Sequence, residues 1–124
     1  MIIGIGVDIV EIKRMERWTE NTNLLERFFH NEELSLAYSR KNNVAQTLAA
    51  RFAAKEAFGK ALGTGFAHIA LKDIAVTNNE NGKPQIKLYG TAHEEYKKSG
   101  ATEVHISLSH EKENAIAMII LEKD

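Results

Sequence analysis

The 19 residues from Val44 to Leu62 constrain the fold more than any other part of the chain. They include seven alanines, the best helix former, and Gly63-Thr64-Gly65 supplies a stop directly after them. A helix of this length spans a small domain, so the other elements must pack around it. The whole chain has 124 residues, 44% of them hydrophobic, which predicts one domain over residues 1–124.

The faces of this helix are not cleanly divided between core and solvent. At about 100° per residue its bulky side chains share one arc, which also contains Arg51 and Lys55. Glu56 and Lys60 project from another side, beside small alanines. Spacing alone favours Arg51 and Lys55 reaching out of the core to solvent, and Glu56 pairing with Lys60 at the surface.

The N-terminal residues predict a strand that is bare on one side. Within Ile3–Val7, bulky residues alternate with Gly4 and Gly6, so another element can pack closely on the glycine face. Asp8 then precedes an amphipathic segment, Ile9–Trp18, and is most simply explained as a helix N-cap. A second interpretation is a magnesium site, because two carboxylates beside substrate phosphates are a common protein contribution to one.

The remainder of the chain predicts an α+β domain, with an antiparallel sheet packed on the long helix. The segment 19–43 is predicted to form short helices joined by polar turns. A further helix is predicted over 92–99, because Thr91 and Glu94 have the spacing of a capping box at its start. The last strand, Ala115–Leu121, is apolar on both faces, which suits a central strand or one covered by a subunit interface. The predicted strands after the long helix are 74–76, 86–88, 104–109 and 115–121.

Charge and cysteine content exclude several classes of function. The net charge is −1, which gives no general attraction to nucleic acid or to an anionic membrane, and we expect neither as a partner. There is no cysteine, so thiolate catalysis and cysteine-bound zinc are excluded, and a reducing cytoplasmic location is expected.

His105 is interpreted as a structural surface or interface residue, whereas His110, expected in a turn, is freer to reach a phosphate.

The identities of the residues in two segments carry information that the spacing of polar and apolar residues does not. The segment Gly4–Ile9, reading GIGVDI, together with Arg51–Ala61, reading RFAAKEAFGKA, resembles the bacterial holo-[acyl-carrier-protein] synthases. The resemblance continues through Gly63–Gly65, Asn81–Pro84 and His105–His110, and so spans nearly the whole chain. It implies the 4′-phosphopantetheinyl transferase fold and transfer of 4′-phosphopantetheine from coenzyme A to a serine of apo acyl carrier protein, in support of fatty acid biosynthesis.

The resemblance also implies roles for individual residues. Asp8 and Glu56 would hold Mg²⁺ against the coenzyme A pyrophosphate, and Lys60 would neutralise phosphate charge. Arg51 and His110 would lie near the 3′-phosphate of coenzyme A, with Gly65 beside its adenine. The serine proton would pass to Glu56 or to a water on the magnesium. The acidic carrier would dock on the basic first helix, through Lys13, Arg14 and Arg17.

The sequence also leads to an expectation about assembly, and it leaves alternative functions open. The family resemblance implies a homotrimer whose three active sites lie between neighbouring chains. The alternatives are a coenzyme A or nucleotide binding module without transferase activity, and a purely structural trimer in which Asp8 caps a helix. A transferase that serves polyketide or peptide synthetase carriers is a closer variant of the same reaction.

Overall fold

A computed structural model describes all residues, Met1–Asp124. The chain is α+β, with a three-stranded antiparallel sheet of order β1-β5-β4 and a separate hairpin formed by β2 and β3. The elements are β1 (Ile2–Glu11), α1 (Ile12–Trp18), α2 (Thr22–Phe28), α3 (Asn31–Ser39), α4 (Val44–Leu62), β2 (Ile74–Asn78), β3 (Pro84–Leu88), α5 (Gly90–Ser99), β4 (Glu103–His110) and β5 (Asn114–Glu122).

The glycine face of β1 lies directly on the backbone of α4, as its bare surface predicts. A Cβ added to Gly4 would sit 1.9 Å from the carbonyl oxygen of Ala61, and one added to Gly6 would sit 1.9 Å from that of Ala57. These distances are far inside van der Waals contact, so only glycine permits this approach. The contact holds the next residue on this face, Asp8, against the same helix.

We expect Gly6→Ala to separate β1 from α4. The new methyl group meets main-chain atoms of the helix, which cannot rotate away as a flexible side chain would. Overpacking of this kind costs about 1–3 kcal/mol, so the melting temperature should fall by roughly 5–10 °C. Thermal denaturation followed by circular dichroism measures this fall, and a variant that melts within 1 °C of the parent would contradict the close packing.

Two sequence predictions about local structure are wrong. The first helix begins at Ile12 with Glu11 at its N-cap, so Asp8 caps no helix. β1 continues past Asp8 because β5 offers backbone partners as far as the pair Glu11 and Asn114. Thr91 forms no capping box either, because α5 begins at Gly90 and the Thr91 hydroxyl donates to Asp73 instead.

The main features of the core confirm the sequence analysis. α4 has the predicted bounds and ends at Gly63, whose φ of +82° is a left-handed cap. β5 is the central strand of its sheet, and its alternate side chains face α4 and are buried. The opposite face of the sheet is uncovered and apolar, and Ile5, Val7, Ile9, Ile116 and Met118 are each between 40% and 60% exposed there.

The two cations in the core arc of α4 are buried, so the prediction that they reach solvent is wrong. Lys55 is fully buried, and its ammonium donates to Glu33 Oε1 at 2.5 Å and to the carbonyl oxygens of Leu71 and Ile74. Glu33, on α3, is also fully buried and accepts from the backbone of Val76 at 3.0 Å. This ion pair joins α3, α4 and β2, which explains how a lysine is tolerated in the core.

None of the helices is both long and apolar enough to cross a bilayer.

Candidate active site

Asp8 and Lys60 meet where β1 crosses the second half of α4. The Lys60 ammonium donates to Asp8 Oδ1 at 2.9 Å and to the carbonyl oxygen of Val7 at 3.0 Å. The predicted surface pair of Glu56 with Lys60 is therefore replaced by a pair with Asp8. The reason is that the glycine face of β1 brings Asp8 alongside the helix, within reach of a side chain that otherwise points to solvent.

The second carboxyl group at this place is Glu56, one helical turn before Lys60. It lies beside Asp8, and it is partly buried between the strand and the helix. Burial, followed by the nearby Asp8 carboxylate, raises the pKa of Glu56 to about 7, while the positive charge of Arg14 opposes this. Two carboxyl groups are thus held together with a deficit of positive charge.

The arrangement fits a divalent cation. With Glu56 ionised, Asp8 Oδ2 is buried without a hydrogen-bond donor, although its other oxygen is paired with Lys60; a proton on Glu56 bonds to Asp8 and so raises the Glu56 pKa. A buried oxygen without a partner costs free energy, and a cation shared with Glu56 would remove that cost. Hard oxygen donors with room for phosphate and water are the environment that Mg²⁺ prefers. Asp8 and Glu56 are the residues that could hold it.

Arg51 and His110 come together in a second place, a cleft of about 250 Å³. Arg51 is 3% exposed, and its guanidinium donates to Asn78 at 2.9 Å. Its Nε is buried without a partner, and burial lowers its pKa to about 10, so the group still carries its charge at neutral pH. Arg40 lines the same cleft. A partly desolvated pair of guanidinium groups is suited to an anion with several oxygens.

His110 is the last residue of β4 rather than a turn residue, which corrects the sequence interpretation. Its exposed ring lines the Arg51 cleft and lies 2.7 Å from the side-chain amide of Gln46, measured at Nδ1. Strand pairing with Ala115 fixes its position. The structure therefore brings His110 to the same cleft as Arg51.

Gly65 lies in the turn after α4 and does not line the Arg51 cleft. Its φ is +61°, a conformation that favours glycine, and its N–H donates to the carbonyl oxygen of Gly59 at 3.1 Å. A Cβ added at Gly65 would meet no atom within 4 Å. The turn thus presents bare backbone to solvent, against which a flat ring could pack.

The predicted docking residues lie on α1 and are exposed. Lys13 and Arg17 form no ion pair, whereas the Arg14 guanidinium lies 5.1 Å from the ring centres of both Trp18 and Phe52. These cation–π contacts hold Arg14 on the side of α1 that faces α4. The basic surface therefore continues from α1 to the edge of the carboxylate site, where the charge of Arg14 acts on Glu56.

Sequence reasoning missed three residues that complete the cleft, namely Arg40, Gln46 and Asn78. Each lies in a loop or near the end of a helix or strand, and the three come from separate elements. No spacing in the sequence links them. The one available signal was Arg40 itself, a cation close to a predicted helix end.

Comparison with known proteins identifies relatives over the full length of the chain. A family model for the 4′-phosphopantetheinyl transferase superfamily matches residues 4–118. A holo-[acyl-carrier-protein] synthase of Treponema denticola is 54% identical over 122 residues, which are 98% of this chain and 99% of that protein. The holo-[acyl-carrier-protein] synthase of Treponema pallidum is 51% identical, over 98% of this chain and 97% of its own.

Solved structures give the same result for the fold. A holo-(acyl-carrier-protein) synthase from Bacillus anthracis, in complex with CoA (3′,5′-ADP), superposes with a TM-score of 0.84 at 36% identity, over 100% of this chain and 99% of that one. The synthase from Helicobacter pylori, in complex with coenzyme A, has a TM-score of 0.82 at 30% identity, over 95% and 99% of the two chains.

Proposed function

This chain belongs to the 4′-phosphopantetheinyl transferase superfamily, and we infer that it transfers 4′-phosphopantetheine from coenzyme A to a serine of apo acyl carrier protein. The observation that carries this function is the full-length match to holo-[acyl-carrier-protein] synthases, with 54% identity to one of them. The cluster of Asp8, Glu56 and Lys60 supplies the groups that such a transfer needs.

We propose that Asp8 and Glu56 hold Mg²⁺. Bound there, the ion would supply a divalent positive charge that offsets the charge of the coenzyme A pyrophosphate. The support is the unpartnered Asp8 oxygen beside a second carboxyl group whose proton is easily displaced, because its pKa lies near neutrality.

The chain's own residues account for the rest of the reaction. The serine oxygen attacks the phosphorus that bears pantetheine, the bond from that phosphorus to the bridging oxygen breaks, and adenosine 3′,5′-bisphosphate leaves. Lys60, 2.9 Å from Asp8 and half exposed, is placed to stabilise the negative charge that builds up on the phosphate oxygens. The serine proton passes to Glu56, the second carboxyl group of the cluster, or to a water next to it.

We assign the Arg51 cleft to the 3′-phosphate of coenzyme A. The cleft offers the two guanidinium groups of Arg40 and Arg51, one without a partner at Nε, and the ring of His110. Its volume of about 250 Å³ is enough for a phosphate group and waters. Gly65, whose backbone is bare, is assigned to the adenine.

His110→Ala should weaken discrimination in favour of coenzyme A over dephospho-coenzyme A. The exposed ring contributes little to the fold, but a hydrogen bond to a charged group is worth about 1.5–3 kcal/mol. We therefore expect KM for coenzyme A to rise roughly tenfold, and KM for dephospho-coenzyme A to stay nearly constant. Steady-state kinetics with both donors measures this, and His93→Ala on α5 is the matched control. An equal rise in KM for both donors would contradict the assignment of His110 to the 3′-phosphate.

We propose that acidic carrier proteins dock on α1 through Lys13, Arg14 and Arg17. Exposure of all three, and the approach of Arg14 to Glu56, support this surface, because it leads a docked carrier to the carboxylate site. Lys13 and Arg17 would steer association, and their contribution should weaken as salt concentration rises.

We propose that the chain assembles as a homotrimer through the uncovered apolar face of the β1-β5-β4 sheet. This patch consists of Ile5, Val7, Ile9, Ile116 and Met118, and apolar patches of this kind commonly mark contacts between subunits. A neighbouring copy would cover these side chains. It would also complete the substrate cleft, because a single chain of 124 residues buries too little surface to form a deep cleft easily.

Sedimentation equilibrium should give a mass of about three times 13.9 kDa. Met118→Lys, which places a charge on the central strand of the patch, should yield monomers and greatly reduce transfer. Tyr38→Lys is the matched control, because Tyr38 is similarly exposed but lies on α3, away from the sheet. A fully active monomer would contradict a site shared between chains.

The transfer itself is tested by mixing this protein with coenzyme A, Mg²⁺ and apo acyl carrier protein, followed by mass spectrometry of the carrier. We expect the carrier to gain one phosphopantetheine. A folded protein that binds coenzyme A yet modifies no carrier would favour a binding module. Modification of polyketide or peptide synthetase carriers alone would show that the chain serves those carriers instead of the fatty-acid carrier.

A further inference from the structure

Arg51 is a buried cation whose only side-chain hydrogen-bond partner is a neutral amide. Its guanidinium donates to Oδ1 of Asn78 at 2.9 Å, and it forms no ion pair with a carboxylate of the chain. The acidic residue that acts on its charge, Glu33, is already paired with Lys55. Burying a charge without a counter-ion costs free energy, so an anion bound in the cleft beside Arg51 would lower that cost.

The hairpin of β2 and β3 fixes the position of Asn78. Asn78 is the last residue of β2 and is opposite Pro84 in the ladder. The turn that follows is closed by the Asn79 side chain, which accepts two backbone N–H groups of the turn. The amide of Asn78 is therefore carried on hydrogen-bonded backbone, and it lines the cleft.

The two ends of the Asn78 amide take different partners. An arginine side chain has only donors, so it must meet the oxygen of the amide. The amide nitrogen, Nδ2, forms no hydrogen bond within the chain. Nε of Arg51 is also a donor without a partner, and it is buried. Asn78 and Arg51 thus each keep an N–H group available to an oxyanion in the cleft.

A carboxylate at position 78 would be the usual partner of a buried arginine. It would accept from the same guanidinium and give it a counter-ion within the chain. It would also remove the net positive charge that Arg51 offers to a ligand, and it has no N–H group to donate. Asparagine and aspartate have nearly the same size, so the amide at this position matters for charge rather than for fit.

We propose that Asn78 is a specificity-determining residue for the 3′-phosphate of the donor. Its amide orients Arg51 without neutralising it, and Nδ2 donates to a phosphate oxygen. This inference rests on the proposed transfer from coenzyme A. The cleft is not part of the apolar face assigned to subunit contacts, because Leu108, which lines the cleft, is opposite the buried Ala117.

The test measures binding, by calorimetric titration of coenzyme A and of dephospho-coenzyme A into the full chain with Mg²⁺ and without a carrier. We expect the parent to prefer coenzyme A. Asn78→Asp should bind coenzyme A at least roughly tenfold more weakly, with little change for dephospho-coenzyme A, because it places a negative charge beside the 3′-phosphate. Its melting temperature should equal or exceed that of the parent, because Arg51 gains a counter-ion.

Gln85→Glu is the matched control for Asn78→Asp. It makes the same change of charge on the neighbouring strand β3, where the side chain is exposed and does not line the cleft. The control should therefore keep the preference of the parent for coenzyme A. Loss of that preference in Gln85→Glu to the same extent would show a general effect of charge and would overturn the assignment to Asn78.

Asn78→Ala separates the charge of this residue from its support of Arg51. It removes the bond to Arg51 and adds no charge, so the preference for coenzyme A should fall, but by less than in Asn78→Asp. A purely structural role predicts the reverse order, because aspartate keeps the bond to Arg51 and alanine does not. If Asn78→Ala fails to fold, Asn78→Asp still decides the question.

The inference and the proposed function fail in different ways. An unchanged preference for coenzyme A in Asn78→Asp, an equal loss for both donors, or a parent without any preference would overturn the role of Asn78. A parent that prefers coenzyme A, and loses this preference in Asn78→Asp, supports the role of Asn78 even if it modifies no carrier protein. Only the transfer assay with apo acyl carrier protein bears on the proposed function.

Discussion

Replacing Glu56 with glutamine should reduce phosphopantetheine transfer by at least roughly a thousandfold and leave the fold intact. The amide keeps the size of the side chain and one acceptor oxygen, but it loses the charge that would hold Mg²⁺ and it cannot take the serine proton. A general base alone contributes about 10²–10⁴-fold, and loss of the metal adds to this.

Stability provides the second readout for this variant. Glu56 shares its place with Asp8, and its pKa is raised to about 7, so the ionised side chain is unfavourable in the metal-free protein. Glu56→Gln removes that repulsion, and the melting temperature without metal should be unchanged or higher. Glu94→Gln, on the exposed side of α5, is the control and should keep full activity. A stable and fully active Glu56→Gln would exclude Glu56 from the site.

Glu33→Gln should be the most destabilising of these substitutions, with a loss of about 3–5 kcal/mol in the free energy of unfolding. It leaves the Lys55 ammonium fully buried without its counter-ion. For a domain of this size the loss corresponds to a fall in melting temperature of roughly 10–20 °C. Denaturant unfolding and thermal melts measure both quantities.

A double-mutant cycle separates the ion pair from simple packing. Glu33→Gln combined with Lys55→Met removes both charges, so its loss should be clearly smaller than the sum of the two single losses. Additive losses would show that the two side chains stabilise the fold independently. Glu32→Gln is the control, because Glu32 is the neighbouring acid but pairs with Lys87 at the surface.

Local patterns were sufficient for much of the fold, but not for the two carboxylates of the candidate site. The composition of Val44–Leu62 and its glycine stop determined α4, since helix propensity and capping act within a few residues. The alternation of Gly4 and Gly6 determined which face of β1 meets that helix. Sequence identity, rather than spacing, selected Asp8 and Glu56, because either residue alone has a simpler structural explanation.

Only the tertiary structure decided which side chains are partners. Lys55 is buried because Glu33 arrives from α3, 22 residues earlier, and Lys60 pairs with Asp8 because β1 runs beside α4. Arg51 meets His110 in one cleft because β4 ends there. Periodicity reports the face of an element on which a residue lies, but a charge in the core depends on a counter-ion from a distant segment, and that partner is set only when the elements pack together.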